Sequence, residues 1–285
     1  MAPPDADLSS VFEELALALR HAGPPGVDEP RAVVLCEGPG DAAWWEHERI
    51  AQELGVPVVT LADLEHRDGA LVARVDGRAR GVDVVYHRTD EARFTGADGR
   101  LTALGEALLE PFAADRLGCV NAPGSGVADD KLVHGYVDEM VRFYLGEEPL
   151  LPSLPSYDLG DEDARAEAFE RLDELVLKPR GEMGGVGVLL WRDADEDERE
   201  QAMAEIEADP GAWVAQELVE LSVHPTVCDG RLEPRHIDLR PYAVLSDEGV
   251  RILAGGFSRV ALERGSMVVN SGRGGGVKDT WVPAG

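Results

Sequence analysis

The order of apolar and polar positions predicts an N-terminal helix followed by a strand, a helix and a second strand. Apolar residues recur at helical spacing over 8–21 and stop before a Gly-Pro-Pro-Gly break, which indicates a helix and then a linker. Residues 31–40 read as a buried strand and a Gly-Pro-Gly turn, 42–55 as a helix, and 56–61 as a strand. This order predicts a parallel α/β unit, whose binding sites lie at the carboxyl ends of the strands.

Turn signals and short apolar runs extend the pattern as far as a proline-rich segment. Two Asp-Gly pairs, at 68–69 and 76–77, frame a predicted hairpin. Further elements are expected as a strand over 82–90, a helix over 101–115, a short strand ending at Asn121 and a helix beginning near Lys131. Asp129 or Asp130 can cap that last helix, and capping explains the two carboxylates at lower cost than a metal site does.

Prolines at positions 149, 152 and 155 mark a predicted domain boundary. The chain is therefore divided into an N-terminal helix and linker (1–28), a Rossmann-like domain (29–148) and a second domain (149–285). The second domain should hold a helix over 161–175, a hairpin over 176–190, an acidic helix over 193–208, a strand over 212–220 and long antiparallel strands over 224–262. The end of the chain, 266–285, should hold a strand, a second glycine-rich loop and Lys278.

The hairpin over 176–190 surrounds a glycine-rich loop that contains Gly181, Gly184, Gly185 and Gly187. Glycine turns bring backbone N–H groups close to a ligand, and such groups bind oxyanions well. No Gly-Lys-Ser/Thr follows the loop, so it is not a Walker A loop. A lysine on the preceding strand, Lys178, instead suggests a lid that closes over ATP; the alternative is a plain hairpin whose glycines only satisfy the turn.

The charge of the chain narrows the classes of ligand. A formal net charge of −28 argues against nucleic acid as a partner, because phosphate backbones need a basic footprint. The net charge does not argue against ATP as a ligand. The attraction between one ammonium and a phosphate oxygen about 4 Å away contributes roughly 4 kcal/mol gross at an effective dielectric near 20. Of 27 basic residues only Lys131, Lys178 and Lys278 are lysine, which indicates positions that need a compact ammonium.

Several features exclude other classes of protein. The three cysteines are far apart, with no CxxC pair, so neither a disulfide framework nor a zinc site is expected. No apolar run approaches the roughly 20 residues that span a bilayer, and the N-terminus lacks the regions of a signal peptide, so a cytoplasmic protein without a membrane partner is expected. The Gly38-Pro39-Gly40 turn lacks the full glycine pattern of a nicotinamide site.

Two further polar groups are candidate ligand contacts. His236, Asp238 and Arg240 are spaced by two, so all three project from one face of a strand, where polar side chains are costly unless they meet ligand or solvent. Arg88 lies near the carboxyl end of a predicted strand and could meet an anionic substrate; the alternative is a surface arginine paired with Asp90.

Six motifs in order resemble the circularly permuted ATP-grasp family related to glutathionylspermidine synthase. They are VNAPGSGVADDK, GEEPLLP, ELVLKP with its glycine loop, EPRHIDLRP, GGFSRVAL and VVNSGRGGGVKDTWV, and the match covers about residues 30–285. The resemblance implies an α/β protein in which a small Rossmann-like pre-ATP-grasp domain is followed by an ATP-grasp α+β domain with an antiparallel sheet and a glycine-rich lid. It also implies an ATP-dependent carboxylate-amine ligase that forms a peptide or amide bond through an acyl phosphate, with ATP and Mg²⁺ as cofactors.

The resemblance also implies roles for individual residues. Lys131 and Lys178 would hold the ATP phosphates, and Gly184, Gly185 and Gly187 would form the lid. Gln216 and Glu217 fall where the hinge of the family contacts adenine. Arg240 and Lys178 would be the catalytic residues, with Arg240 neutralising negative charge in the transition state. The remaining nucleotide-site candidates are Asp238, Asn270, Ser271, the 274–276 loop and Lys278.

The chain departs from the family pattern at three places. The lid usually reads Gly-Ser-Gly-Gly-Tyr-Gly, whereas Glu182 and Met183 stand here before the glycines, and His87 replaces a usual arginine. Relatives also have an N-terminal segment with acidic and asparagine ligands for magnesium, which leaves the metal ligands unassigned. The alternatives to a complete ligase are therefore a non-catalytic nucleotide-binding subunit or half of a split ATP-grasp enzyme, completed by a separate polypeptide.

Overall fold

The computed structural model describes residues 9–41, 43–182, 185–246, 249–270 and 274–281. By its internal contacts the chain divides into two compact units, one formed by 1–126, 241–256 and 281–285 and the other by 127–240 and 257–280. The boundary predicted after residue 148 stays a prediction, and in this division residues 127–148 belong to the second unit. There Asp130 forms an ion pair with Arg180, which joins the segment to the strand before the glycine loop.

The first unit contains a parallel sheet and a small antiparallel sheet. In chain order its elements are α1 (Ser9–His21), β1 (Ala32–Leu35), α2 (Trp44–Leu54), β2 (Val58–Val59), β3 (Leu64–Arg67), β4 (Ala70–Val75), β5 (Arg78–Gly81), β6 (Val84–Tyr86), α3 (Ala103–Ala113) and β7 (Gly118–Val120). The parallel sheet has the strand order β2-β1-β6-β7. The predicted strand, helix and strand unit is thereby confirmed.

The core of the first unit follows from the apolar runs that predicted its strands. Val34, Val85 and Leu108 are fully buried in it, on β1, β6 and α3. The second sheet, β3-β4-β5, is an antiparallel meander. Its two turns place Asp68 and Asp76 at positive φ, each followed by a glycine at positive φ, as type I′ hairpin turns require.

Gly118 shows why one glycine of β7 cannot be replaced. A Cβ atom at this position would lie 1.8 Å from the main-chain oxygen of Ala22, in the segment after α1. The backbone of the N-terminal segment therefore packs directly on the parallel sheet at β7. The amphipathic helix predicted over 8–21 is observed as α1, and its docking on this sheet is explained by that close approach.

The second unit is built on two antiparallel sheets. Its elements are α4 (Lys131–Gly135), α5 (Val137–Leu145), β8 (Ser156–Asp158), α6 (Glu162–Glu170), β9 (Leu175–Pro179), β10 (Leu189–Leu190), α7 (Glu196–Ala208), β11 (Trp213–Glu217), β12 (Val223–Cys228), β13 (Arg231–Ser246), β14 (Gly249–Val260) and β15 (Gly276–Trp281). The strand orders are β10-β9-β11-β8 and β12-β13-β14-β15. The distal parts of β13 and β14, residues 241–256, group with the first unit.

The second unit has its own core beneath the β8–β11 sheet. Leu177 of β9 and Ala215 of β11 are fully buried there and lie opposite each other, and Ile206 of the acidic helix α7 packs against them. The hairpin predicted over 176–190 is observed as β9 and β10, with Leu189 opposite Leu177. The mixed α/β architecture predicted from the sequence is confirmed.

The cysteine side chains differ in how far they are buried. All three thiols are free, Cys36 and Cys119 are buried, and burial raises the pKa of Cys119 to about 12. Such a thiol stays protonated and unreactive at neutral pH. Among the described helices, none combines the length and apolar character needed to cross a bilayer.

Candidate active site

The N-terminus of α4 is fixed to the end of β9 by one carboxylate. Asp130 caps the helix by accepting a hydrogen bond from the backbone N–H of Leu132 at 2.9 Å. Both of its oxygens also bind the guanidinium of Arg180, which donates from Nε at 3.0 Å and from Nη2 at 2.6 Å. Arg180 holds the pKa of Asp130 below its usual range. Asp130, rather than Asp129, is therefore the cap, and it sets the position of the next residue, Lys131.

The ammonium of Lys131 lies at the beginning of the glycine loop. Its Nζ donates to the main-chain oxygen of Arg180 at 3.2 Å and to the main-chain oxygen of Glu182. Burial lowers the pKa of Lys131, and the carboxylates of Glu182, Asp130 and Asp129 oppose that shift. A lysine held by main-chain carbonyls and partly removed from water is ready to exchange those neutral acceptors for an anion.

Lys178 approaches the same place from β9. Its Nζ donates to Oε1 of Gln216 on β11, and the Gln216 amide in turn donates to Oγ of Ser156 at 3.1 Å. Burial lowers the pKa of Lys178, and the positive charge of Lys131 lowers it further. No carboxylate of the described residues forms an ion pair with Lys178. That Lys131 and Lys178 share one cleft stays a prediction.

The glycine loop between β9 and β10 is described in part. Gly185 and Gly187 both adopt positive φ, at 81° and 67°. A Cβ at Gly187 would lie 2.6 Å from Cγ of Pro179, so the loop backbone packs against the end of β9. Both features require glycine in the second half of the loop. Gly184, which the sequence also assigned to the lid, is outside the described residues.

Both predicted hinge residues, Gln216 and Glu217, form hydrogen bonds to other residues of the second unit. Gln216, 8% exposed, orients Lys178 through its side chain. The Glu217 carboxylate accepts a hydrogen bond from Nη2 of Arg171 at 3.1 Å, and the Glu217 backbone N–H donates to the oxygen of Pro155 at 3.0 Å. An adenine at this hinge would therefore use main-chain groups other than the Glu217 N–H.

The polar residues of β13 meet the neighbouring strands. Asp238 accepts two hydrogen bonds of 3.0 Å from Nε of Arg259 on β14, and this contact raises the pKa of the guanidinium. The Arg240 guanidinium lies over the Phe257 ring, 5.1 Å from its centroid. His236 Nδ1 is 2.9 Å from the main-chain oxygen of Leu221. No carboxylate of the described residues forms an ion pair with Arg240.

The second glycine loop is closed by a main-chain hydrogen bond. The N–H of Gly275 donates to the Asn270 oxygen at 2.9 Å, and a Cβ at Gly275 would lie 2.3 Å from the oxygen of Val269. Asn270 is thus part of the loop's frame, while Ser271 lies outside the described residues. Lys278 on β15 donates to the main-chain oxygen of Pro225 at 2.7 Å. No described contact joins Lys278 to Lys131 or Lys178.

Sequence reasoning missed the arginines that organise these residues. Arg180 positions Asp130, Arg259 pairs with Asp238, and Arg235, 6% exposed, donates from Nε to the main-chain oxygen of Leu262 at 2.9 Å. All three lie inside motifs that were singled out. The motifs contained these arginines, but the sequence pattern did not reveal their partners, which lie on other strands or segments.

Arg88, the anion contact considered in the first unit, pairs with a different residue from the one expected. Its guanidinium binds the Glu46 carboxylate of α2, and both side chains are more than half exposed. Asp90 instead caps a short 3₁₀ helix by accepting from the N–H of Ala92 at 2.9 Å. The surface ion pair is therefore the observed arrangement, with Glu46 as the acid.

The described residues do not form a resident metal site. They contain no group of three or more His, Cys, Asp or Glu side chains arranged to hold a metal ion. Two candidate carboxylates, Glu217 and Asp238, are already bound to guanidinium groups. No step is therefore assigned to a protein-bound metal.

Comparisons with known proteins identify relatives that share most of this chain's length. A Frankia alni protein named "Putative glutamate--cysteine ligase 2-3" is 44% identical over 270 residues, which are 93% of this chain and 31% of that protein. An uncharacterized protein of Synechocystis sp. is 40% identical over 283 residues, 98% of this chain and 58% of its own length. The chain thus spans about a third to somewhat over half of these relatives.

A solved structure supports the fold. A glutathione synthetase-like effector from Globodera pallida matches 89% of this chain and 58% of that chain, with a TM-score of 0.55 and 15% sequence identity. The family model described as circularly permuted ATP-grasp type 2 matches residues 5–261. This match, over most of the chain, shows that the chain belongs to the circularly permuted ATP-grasp type 2 family.

Proposed function

We propose that this chain is the nucleotide-binding part of an ATP-dependent carboxylate-amine ligase. The substrates would be a small-molecule or peptide carboxylate and an amine, joined as an amide. Membership of the ATP-grasp family and the name of the Frankia relative support an ATP-dependent ligase. The acyl phosphate route, the identity of the substrates and the residue roles below are parts of the proposal.

The observation that supports the proposal most is the convergence of Lys131 and Lys178. Two ammonium groups from separate elements lie close enough for one to lower the pKa of the other, and no described carboxylate is bonded to Lys178. Such an arrangement is unfavourable in the free protein, because like charges repel and burial disfavours the charged form. A polyphosphate would remove both costs at once, which makes it the ligand that best suits the site.

The neighbouring main chain suits the same ligand. Lys131 is bonded to the oxygens of Arg180 and Glu182, the residues that lead into the glycine loop. When phosphate replaces these neutral acceptors, the loop loses two hydrogen bonds to lysine and can move over the nucleotide. Its backbone N–H groups would then donate to phosphate oxygens, which glycine permits.

The proposed reaction has two steps. A carboxylate oxygen attacks the γ-phosphorus of ATP, the bond between that phosphorus and the ADP oxygen breaks, and an acyl phosphate forms. The amine nitrogen then attacks the carbonyl carbon, phosphate leaves, and the nitrogen releases a proton. Lys178 and Arg240 would bind the charge that develops on the transferred phosphoryl group, because this chemistry depends on positioning and electrostatics.

The name of the Frankia relative indicates which substrates to test first. Glutamate would supply the carboxylate and cysteine the amine. Panels of free amino acids and short peptides are therefore part of the test.

A second candidate function is ATP binding without turnover by this chain alone. The absence of a metal-binding cluster among the described residues favours it, since phosphoryl transfer from ATP needs cations on the phosphates. In that case ATP would raise the melting temperature of the chain, but no combination of acid and amine would release ADP.

The test measures ADP release with ATP, magnesium, a carboxylate and an amine together, and with each omitted in turn. The ligase predicts ADP only when both organic substrates are present. Lys131→Met should abolish the ATP-dependent rise in melting temperature and the turnover. Arg192→Gln, a change at an exposed arginine whose described ionic partner is Asp193, is the matched control and should alter neither. If ATP binds but no combination of carboxylate and amine leads to release of ADP, the second candidate function is supported.

A further inference from the structure

The parallel sheet of the first unit has a strand order that is typical of ligand-binding sheets. Strand β1 lies between β2 and β6. The chain therefore passes from β1 to β2 on one side of β1, and later returns to β6 on the other side. Such a switch in strand order opens a crevice at the carboxyl ends of the two central strands. Here β1 ends at Leu35 and β6 at Tyr86, and the loop after β1 leads into α2.

One side chain of α2 is buried beside this crevice with its polar atoms unused. His47 is 2% exposed, and neither of its ring nitrogens has a hydrogen-bond partner. The ring meets that of Tyr86 edge-on, with centroids 6.2 Å apart, which places it at the carboxyl end of β6. Buried polar groups are nearly always paired, so two unused nitrogens on one ring indicate a missing partner.

The charges around His47 identify the kind of partner. Glu37 pairs with Arg93, and Glu46 pairs with Arg88. Asp41 has no guanidinium or ammonium partner among the described residues. Its side chain is only 20% exposed, and its Oδ2 is 3.8 Å from Nδ1 of His47, beyond hydrogen-bond distance.

We propose that Asp41 and His47 form a binding site for a primary ammonium group. The carboxylate would supply the charge and one acceptor, and a ring nitrogen of neutral His47 would supply a second acceptor. Burial lowers the pKa of His47, which keeps the imidazole neutral and able to accept a hydrogen bond. An ammonium between the two groups would satisfy both with separate N–H donors.

Other ligand classes suit the crevice less well. The described residues hold no cluster of metal-binding side chains, which argues against a cation such as zinc. A carboxylate ligand would face Asp41 directly, and the nearby arginines Arg88 and Arg93 are already paired. Oδ1 of Asp41 already accepts a hydrogen bond from the N–H of Ala43 at 2.8 Å, so Oδ2 is the oxygen that would bind the ligand. An ammonium is the simplest group that complements this oxygen and one neutral imidazole.

This inference does not rest on the proposed function. ATP is bound, in the proposal, by residues of the second unit, so the Asp41 site can be tested without nucleotide.

The experiment follows the His47 ring resonances in ¹H–¹³C spectra of the whole chain while glycinamide is added. The chain has seven histidines, so His47 can be assigned by the loss of one signal in His47→Phe. The expected result is a saturable shift of this signal in the millimolar range. Asp41→Asn should weaken binding at least about tenfold, the effect of losing a charge-assisted contact.

Three controls separate the site from general effects. Tetramethylammonium has the charge without N–H donors, N-acetylglycinamide lacks the charge, and neither should shift the signal. Asp28→Asn makes the same change of charge at an exposed carboxylate of the same unit and should leave the titration unchanged. Melting curves establish that each variant is folded.

The outcomes are distinct. No shift with glycinamide, or an equal shift with either control compound, would overturn the ammonium site while leaving the ligase proposal in place. Conversely, a saturable shift together with failure of ATP to bind would overturn only the ligase proposal.

Discussion

Replacing Lys178 by methionine separates a nucleotide-binding role from a structural one. Methionine has a similar length and no charge, so the substitution removes the ammonium while largely filling its volume. In the free protein this relieves the repulsion with Lys131 and the cost of burying the charge. It also leaves Oε1 of the buried Gln216 without its donor.

These two effects on stability oppose each other. An unpaired buried acceptor costs about 1–3 kcal/mol. The lowered pKa of Lys178 shows that burying its charge is itself unfavourable, so removing the charge offsets part of that cost. We expect the free energy of unfolding without ATP to change by about 1 kcal/mol or less, within the range of ordinary substitutions.

The effect on ATP binding should be larger. A pair of unit charges about 4 Å apart gains roughly 4 kcal/mol gross at an effective dielectric near 20. Part of this gain is lost, because Lys178 must give up its hydrogen bond to Gln216 and the charged groups must lose water. The net contribution is then about 1.5–3 kcal/mol, the value of a charge-assisted hydrogen bond. The Kd for ATP should therefore rise about 10- to 150-fold.

Calorimetric titration with ATP measures the affinity, and urea denaturation without ATP measures the stability of the same two proteins. Arg192→Gln serves as the control for handling and folding. A Kd for ATP that is unchanged in Lys178→Met would remove this lysine from the site. A loss of several kcal/mol of stability with normal ATP affinity would instead identify Lys178 as a structural residue.

Three further predictions concern the same unit. The pKa of Lys178 lies below the ordinary 10.5, so at pH values between that lowered pKa and 10.5 the binding of ATP should be accompanied by uptake of a proton. In this pH range the measured heat of binding should depend on the ionisation enthalpy of the buffer. The free energy of unfolding should rise with pH over the same range, since the unfolded chain binds more protons than the folded chain. Asp130→Asn keeps a helix cap but breaks the half-buried pair with Arg180, and should cost about 1–2 kcal/mol in urea denaturation, whereas Asp129→Asn should cost less than about 0.5 kcal/mol. Arg240→Met should lower kcat for ADP release about 10²- to 10³-fold with the Kd for ATP changed less than about threefold, and an equal loss of affinity would place Arg240 in ground-state binding.

Local signals in the sequence predicted most elements and the two lysines. The period of apolar residues defined β1, α2 and β2, and Asp-Gly pairs defined both turns of the meander. The rarity of lysine also indicated Lys131 and Lys178 as candidate phosphate contacts, and their role stays a prediction. Such signals reach only a few residues along the chain, which is why they succeeded for elements, caps and turns.

Partners across strands and between distant segments could not be predicted in this way. Asp130 and Arg180 are 50 residues apart, and their ion pair brings 127–148 into the second unit. The contact of Asp238 with Arg259 depends on the pairing of β13 with β14, and sequence alone does not define that pairing. His47 resembled an ordinary residue of an amphipathic helix, and only its burial and unused nitrogens distinguish it.

The central claim is that ammonium groups from α4 and β9 hold the polyphosphate of ATP together. A crystal structure of the chain with a non-hydrolysable ATP analogue tests this most directly. The account predicts phosphate oxygens within about 3 Å of both the Lys131 and Lys178 Nζ atoms, with Lys131 released from the Arg180 and Glu182 oxygens. Phosphates bound elsewhere, with both lysines still on their present protein partners, would contradict it.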